Sequence, residues 1–167
     1  MTVTVLLLIL NYRNYAKNPN RATVSEIQLH YKSKVKAPQR SQITSSESAY
    51  QIVLKIWNLN TIEFFEEFKI LLLNNSNKVL GAYEISSGGI TGTFVDLRLI
   101  FTATLKANTI GIIMIHNHPS GKLIASEADK QLTAKVKAAS KTLDIQLLDH
   151  LIITPEDYYS FTDGGAL

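Results

Sequence analysis

Apolar positions along the chain fall into two spacings, and the changes of spacing mark out elements. After Thr44-Ser45-Ser46-Glu47, Tyr50, Val53, Ile56 and Trp57 recur at helical intervals. Thr44 and Glu47 have the form of a capping box, so a helix starts there, and Asn58–Thr61 interrupts or ends it. Phe68–Leu73 reads as a strand, Asn74–Asn77 as a turn, and Val79–Ile85 as the returning arm of a hairpin. Ser87-Gly88-Gly89 marks another turn, and Ile90–Val95 a third strand. Leu97, Ile100, Phe101 and Leu105 predict a helix from Leu97 to Lys106. Ile110–Ile115 is apolar on both faces, the pattern of a fully buried central strand. Pro119 and Gly121 interrupt it. A helix over Glu127–Thr142 follows, with Leu132, Val136 and Ala139 four and three residues apart. Ile145–Thr154 and Tyr158–Phe161 close the chain as strands. Alternating strands and helices give an α/β class, one sheet flanked by helices.

The first 43 residues differ from the rest. Val3–Leu10 is apolar but far too short for a bilayer span, which takes about 20 residues. No positive leader or small-residue cleavage site accompanies it, so a cytoplasmic protein without a membrane span is expected. Tyr12–Gln42 is rich in Asn, Lys, Arg and Pro and reads as an irregular arm, with a strand around Ile27–Tyr31. Of 17 Lys and Arg in the 167 residues, seven lie in residues 1–43 beside one acid, a net +6; residues 44–167 carry −3. The overall +3 is therefore a property of the arm. Such an arm either contacts nucleic acid weakly or keeps the protein in solution. The boundaries expected are 1–43 for the arm and 44–167 for the domain. Nothing in the pattern speaks to oligomeric state.

Composition narrows the chemistry. The chain has no cysteine, which excludes disulfides, thiol catalysis, iron–sulfur clusters and Cys-based zinc sites. A metal site must use His and carboxylates. Ile115-His116-Asn117-His118-Pro119-Ser120-Gly121 offers them at a strand end, where residues i and i+2 share a face. His116 and His118 then form a two-nitrogen clamp. Asp129, one turn into the next helix, completes a His-His-Asp set and leaves a fourth position for water, as in catalytic zinc sites. Ser126-x-x-Asp129 is also an ordinary helix cap, and the two roles are compatible.

His-x-His, seven residues, then Ser-x-x-Asp resembles the metal motif of the JAB/MPN family, whose active members are zinc-dependent isopeptidases. The words His116–Gly121, Leu148-Asp149-His150-Leu151-Ile152-Ile153 and Tyr159-Ser160-Phe161 resemble its RadC branch. The resemblance covers about Ser45–Leu167. It implies a cytidine-deaminase-like α/β/α fold with a mixed sheet, bound Zn²⁺, and a peptide or protein substrate. Leu97-Arg98-Leu99-Ile100-Phe101 stands where that branch commonly has Pro-Arg-Glu-Ile-Phe, and Ala125 where Pro usually precedes the serine.

The resemblance also implies a glutamate base upstream of the histidines. A Glu-x-Phe pattern selects Glu66, and Glu directly before Phe selects Glu67. Adjacent strand residues face opposite ways, so only one reaches the metal; Glu66 is the expected base. The implied reaction is amide hydrolysis by metal-activated water, with Glu66 passing the proton on. The Ser126 hydroxyl is placed to donate to the oxyanion, in competition with its capping role. Asp149-His150 reads either as a structural polar pair or as support for the ligands. The alternative function is a factor associated with DNA repair or nucleic acid, as the RadC name suggests, with a structural or inactive metal site.

Overall fold

The computed structural model describes residues 30–89 and 92–167. A 3-10 turn, Ala37–Gln39, precedes helix α1 (Ser46–Ile56), strands β1 (Glu67–Leu73) and β2 (Val79–Ser87), helix α2 (Leu97–Lys106), strand β3 (Gly111–Asn117), helix α3 (Glu127–Thr142), and strands β4 (Gln146–Ile153) and β5 (Tyr158–Ser160). The five strands form one sheet in the order β2-β1-β3-β4-β5. Only β3 and β4 run parallel, joined by the crossover through α3; the other neighbours are antiparallel. The architecture is the expected mixed α/β one.

The period-two alternation of the strands sorts their side chains into two cores. One face sets Leu71, Leu73, Ile113, Ile115, Leu151 and Ile153 against α1 through Ala49, Tyr50, Val53 and Trp57. The other sets Phe68, Ile70, Leu72, Ile112 and Met114 against α2 and α3 through Ile100 and Val136. β3 is buried along its whole length, in keeping with its unbroken apolar run. Helices thus cover both faces, giving α/β/α layers.

Local details depart from the sequence expectations in two places. The cap of α1 is Ser45, whose hydroxyl accepts from the Ser48 amide while the Ser48 hydroxyl takes the Ser45 amide. The box is one residue later than Thr44/Glu47, because a serine at the third helical position reaches back as well as a glutamate. Of the strand expected over Ile90–Val95, residues 90–91 lie outside the described residues. Gly92–Val95 is irregular; Gly88 and Gly89 are both at positive φ, and Asp96 caps α2. The expected strand at Ile27–Tyr31 lies mostly outside the described residues, as does Val3–Leu10, and His30 and Tyr31 are irregular.

The folded region reaches slightly into the arm. Ile43 is buried in the α1 core, Gln42 bridges Lys78, and the Val79 amide donates to the Ser41 carbonyl. No helix among the described residues is long and apolar enough to cross a membrane.

Candidate metal centre

The site lies at the C-terminal end of β3, beside the start of α3, where a parallel βαβ unit opens a crevice. His116 pairs with Phe68 of β1 and Ile152 of β4, so it is held between two strands and is 1% exposed. Its ring stacks on Phe68 at 5.9 Å between centroids. His118 follows the strand end. A tight turn brings the Gly121 amide back to the His118 carbonyl at 2.9 Å, with Gly121 at φ +73°, a conformation that favours glycine. His118 Nδ1 lies 2.6 Å from the Lys122 carbonyl oxygen. A carbonyl only accepts, so Nδ1 carries the proton and Nε2 keeps its lone pair for the crevice.

Asp129 is placed by the cap of α3. The Ser126 hydroxyl accepts from the Asp129 amide, and the Ser126 amide donates to Asp129 Oδ2 at 2.7 Å. This reciprocal box orients the carboxylate toward the histidines, so the capping and ligand-like placements coincide in one residue. His116 Nε2 lies 3.0 Å from His118 Nε2 and 3.3 Å from Asp129 Oδ1; His118 Nε2 lies 3.8 Å from Asp129 Oδ2. Burial pushes the Asp129 carboxyl up, but the hydrogen bond and charge of His116 and the bonds from Ser126 outweigh it. The carboxyl is held well below the usual carboxylate range.

Among the described residues these three form a group that can hold a metal ion. Three ligand atoms at about 2.0–2.2 Å from a tetrahedral ion lie roughly 3.3 Å apart. The separations from His116 Nε2 to His118 Nε2 and to Asp129 Oδ1, 3.0 and 3.3 Å, lie close to that value, and the donor set, two imidazole nitrogens and an ionised carboxylate, suits a borderline-soft divalent cation.

Behind the group runs a buried polar chain. His116 Nδ1 lies 2.9 Å from His150 Nε2; His150 Nδ1 lies 2.7 Å from Thr133 Oγ1; and Thr133 Oγ1 donates to the Asp129 carbonyl at 2.6 Å. His150 is fully buried and stacks on Phe161. Its neighbour Asp149 turns the other way, accepting from the Ser160 hydroxyl and the Thr162 amide, and pins β5 and the following turn. The two halves of the Asp149-His150 pair thus have separate surroundings.

In front of the group opens a cavity of about 720 Å³, lined by Glu66, Phe68, His118, Ser126 and Asp129 together with apolar Phe94, Val95, Ile124 and Leu132. Phe94 is 83% exposed and Ile124 75%, which is unusual for large apolar side chains. Glu66 and Glu67 part company at the start of β1. Glu67 turns to the α1 face, where its carboxylate meets Lys69 Nζ at 2.6 Å; Lys69 also covers the Trp57 ring. Glu66 is on the cavity side with Phe68, as their two-residue spacing requires. Its backbone exchanges hydrogen bonds with the Gly88-Gly89 turn, both at 3.0 Å.

Asn117, between the two histidines, was not singled out by its sequence pattern. Its side chain faces away from them and clamps the segment before β1: Nδ2 donates to the Ile62 and Phe65 carbonyls at 2.6 and 2.8 Å, and Oδ1 accepts from the Glu67 amide at 2.7 Å. Thr133 was missed as well. It lies four residues after Asp129 on the same helix face, the only local signal that could have marked it.

A family model described as "RadC-like JAB domain" matches residues 43–166. A UPF0758 protein of Flavobacterium johnsoniae is 51% identical over 122 residues, covering 73% of this chain and 52% of that protein. UPF0758 proteins of Porphyromonas gingivalis and Chlorobaculum parvum are 44% and 38% identical over 103 and 102 residues, each covering 61% of this chain and 45% and 46% of theirs. The chain spans about half the length of these curated relatives. It belongs to the RadC-like JAB domain family.

Proposed function

We propose that the protein is a zinc-dependent metallohydrolase cleaving peptide or isopeptide bonds, with His116, His118 and Asp129 as the metal ligands and Glu66 as the general base. The observation that carries this reading is the convergence of two imidazole nitrogens and a carboxylate at the mouth of a cavity that Glu66 also lines. Zn²⁺ held there would supply Lewis acidity, polarising a carbonyl and lowering the pKa of a bound water to about 7.

The chain's own groups account for the remaining work. Glu66 takes the proton from the attacking water and returns it to the departing amine nitrogen, so the carboxylate is regenerated in each cycle. The Ser126 hydroxyl reaches Asp129 Oδ2 at 2.6 Å and caps α3. Its proton is engaged there, so a bond to the oxyanion requires it to leave that carboxylate. Phe94, Val95, Ile124 and Leu132 give the cavity apolar walls, fitting an acyl side chain flanked by apolar groups. The test is a peptide and isopeptide library assayed with zinc-loaded protein. Cleavage that chelation abolishes and zinc restores supports the reading. A zinc-loaded protein that cleaves nothing, while retarding nucleic acid in a salt-dependent way, favours the nucleic-acid alternative.

A further inference from the structure

Two of the three proposed ligands are tied together from behind through His150 and Thr133. The direction of every bond in that chain can be read from one end. The Asp129 backbone oxygen only accepts, and Thr133 Oγ1 lies 2.6 Å from it, so the single hydroxyl proton goes there. Thr133 Oγ1 then has only lone pairs to offer His150 Nδ1, 2.7 Å away, and that nitrogen must carry a proton. The His150 ring is fully buried between Phe68 and Phe161, and among the described residues no carboxylate hydrogen-bonds it, so it holds a single proton and its Nε2 is an acceptor. His116 Nδ1, 2.9 Å from it, therefore donates. The consequence falls on the opposite side of the His116 ring, where Nε2 is the nitrogen left free of that chain and faces His118 and Asp129.

We propose that His150 and Thr133 are positioning residues that lock His116 into the Nδ1–H tautomer, the form able to ligate a metal through Nε2. The inference rests on the metal-binding reading above but not on hydrolysis. His116 has no carbonyl of its own to set the tautomer, as His118 has in Lys122. The chain supplies an equivalent, and it takes its direction from the backbone of Asp129, so the first turn of α3 orients one ligand directly and another through three hydrogen bonds. Removing the Thr133 hydroxyl frees His150 to turn its proton toward His116. Two donors would then face each other, and the relief is for His116 to move its proton to Nε2, the ligating atom.

The experiment has two readouts on the full chain. Nitrogen-15 NMR of the imidazoles in metal-free protein reports which His116 nitrogen is protonated, and competition with a chromophoric chelator gives zinc affinity. The wild type is expected to show a protonated Nδ1 on His116. Thr133→Val is expected to lower zinc affinity roughly 10–100-fold, the usual cost of losing support behind a ligating histidine. Thr133→Ser, which keeps the hydroxyl, and His150→Gln, whose amide keeps one acceptor and one donor, retain zinc better than Thr133→Val and His150→Phe. An unprotonated His116 Nδ1 in the wild type overturns the proposal, and this reading stands even if a variant fails to fold. So does a folded Thr133→Val or His150→Phe that binds zinc like the wild type. A wild type that binds no zinc removes the metal-binding reading itself, a different outcome from wild-type binding that ignores these substitutions.

Discussion

Asn117→Ala tests whether the structure assigns separate tasks to the two faces of β3. The asparagine side chain is fully buried and makes three hydrogen bonds, to the Ile62 carbonyl, the Phe65 carbonyl and the Glu67 amide. Its amide orientation follows from its partners, since two acceptors face one end and a donor faces the other. Truncation to alanine leaves three backbone groups without a partner. Each hydrogen bond is worth about 1 kcal/mol net, and buried unsatisfied groups cost about 1–3 kcal/mol each, so a total of roughly 3–4 kcal/mol is expected after partial relaxation. That is a large share of a typical stability of about 5–15 kcal/mol. For a domain of this size it corresponds to a fall in melting temperature of roughly 10–15 °C. Circular dichroism of the metal-free protein measures it. The segment released is the one that carries Glu66 into the cavity, while His116 and His118 face the other way. Cleavage should therefore fall more steeply than zinc affinity when both are measured below the variant's melting temperature. Asn117→Asp is the sharper companion: it still accepts from Glu67 but sets a carboxylate against two carbonyls, so it should be at least as unstable at neutral pH. A melting temperature within about 2 °C of wild type for Asn117→Ala, less than about 1 kcal/mol, would refute the clamp.

The remaining predictions concern the site, the rim and the arm. Wild-type protein should hold about one zinc per chain; elemental analysis of His116→Ala/His118→Ala should find it lost, and full retention would remove those residues from the ligand set. Glu66→Gln should keep the zinc and lose roughly 10²–10⁴-fold in cleavage rate, as for a missing general base. Glu67→Gln should instead act on the ion pair with Lys69, lowering stability with cleavage retained; inactivity confined to Glu67→Gln would exchange the two roles. Tyr50 donates to the Thr154 and Pro155 carbonyls, and burial, with nearby acids, raises its pKa above the ordinary 10.0. Its stabilising contribution is complete below pH 10 and is lost as pH rises beyond that, because the unfolded chain ionises first; Tyr50→Phe should melt lower at neutral pH and lose less stability between pH 9.5 and 11. Any retention of DNA at low salt should vanish when the seven Lys and Arg of residues 1–43 are replaced by Gln, and retention by that variant would exclude the arm as the contact.

Much of the site was legible from local pattern. Strand periodicity put His116 and His118 on one side of one strand end. The Ser126-x-x-Asp129 cap located the helix start that carries the carboxylate, and both are decided within a few residues of chain. The bounds of α2 and α3 were equally local, set by apolar residues at helical spacing and by Asp96 and Ser126 as caps. The strand expected over Ile90–Val95 failed in its described part because an apolar, β-branched run says nothing of a partner edge, and the chain there leaves the sheet to line the cavity. Glu66 and Glu67 could be told to face opposite ways from sequence, but not which face held the histidines. That required β1 to lie beside β3 with Phe68 opposite His116. The Asn117 clamp and the His116–His150–Thr133 contacts join residues 17 to 55 positions apart across neighbouring elements. Periodicity assigns a residue to a face of its own element; only the order and register of the strands determine what that face meets, because those depend on packing the two cores at once.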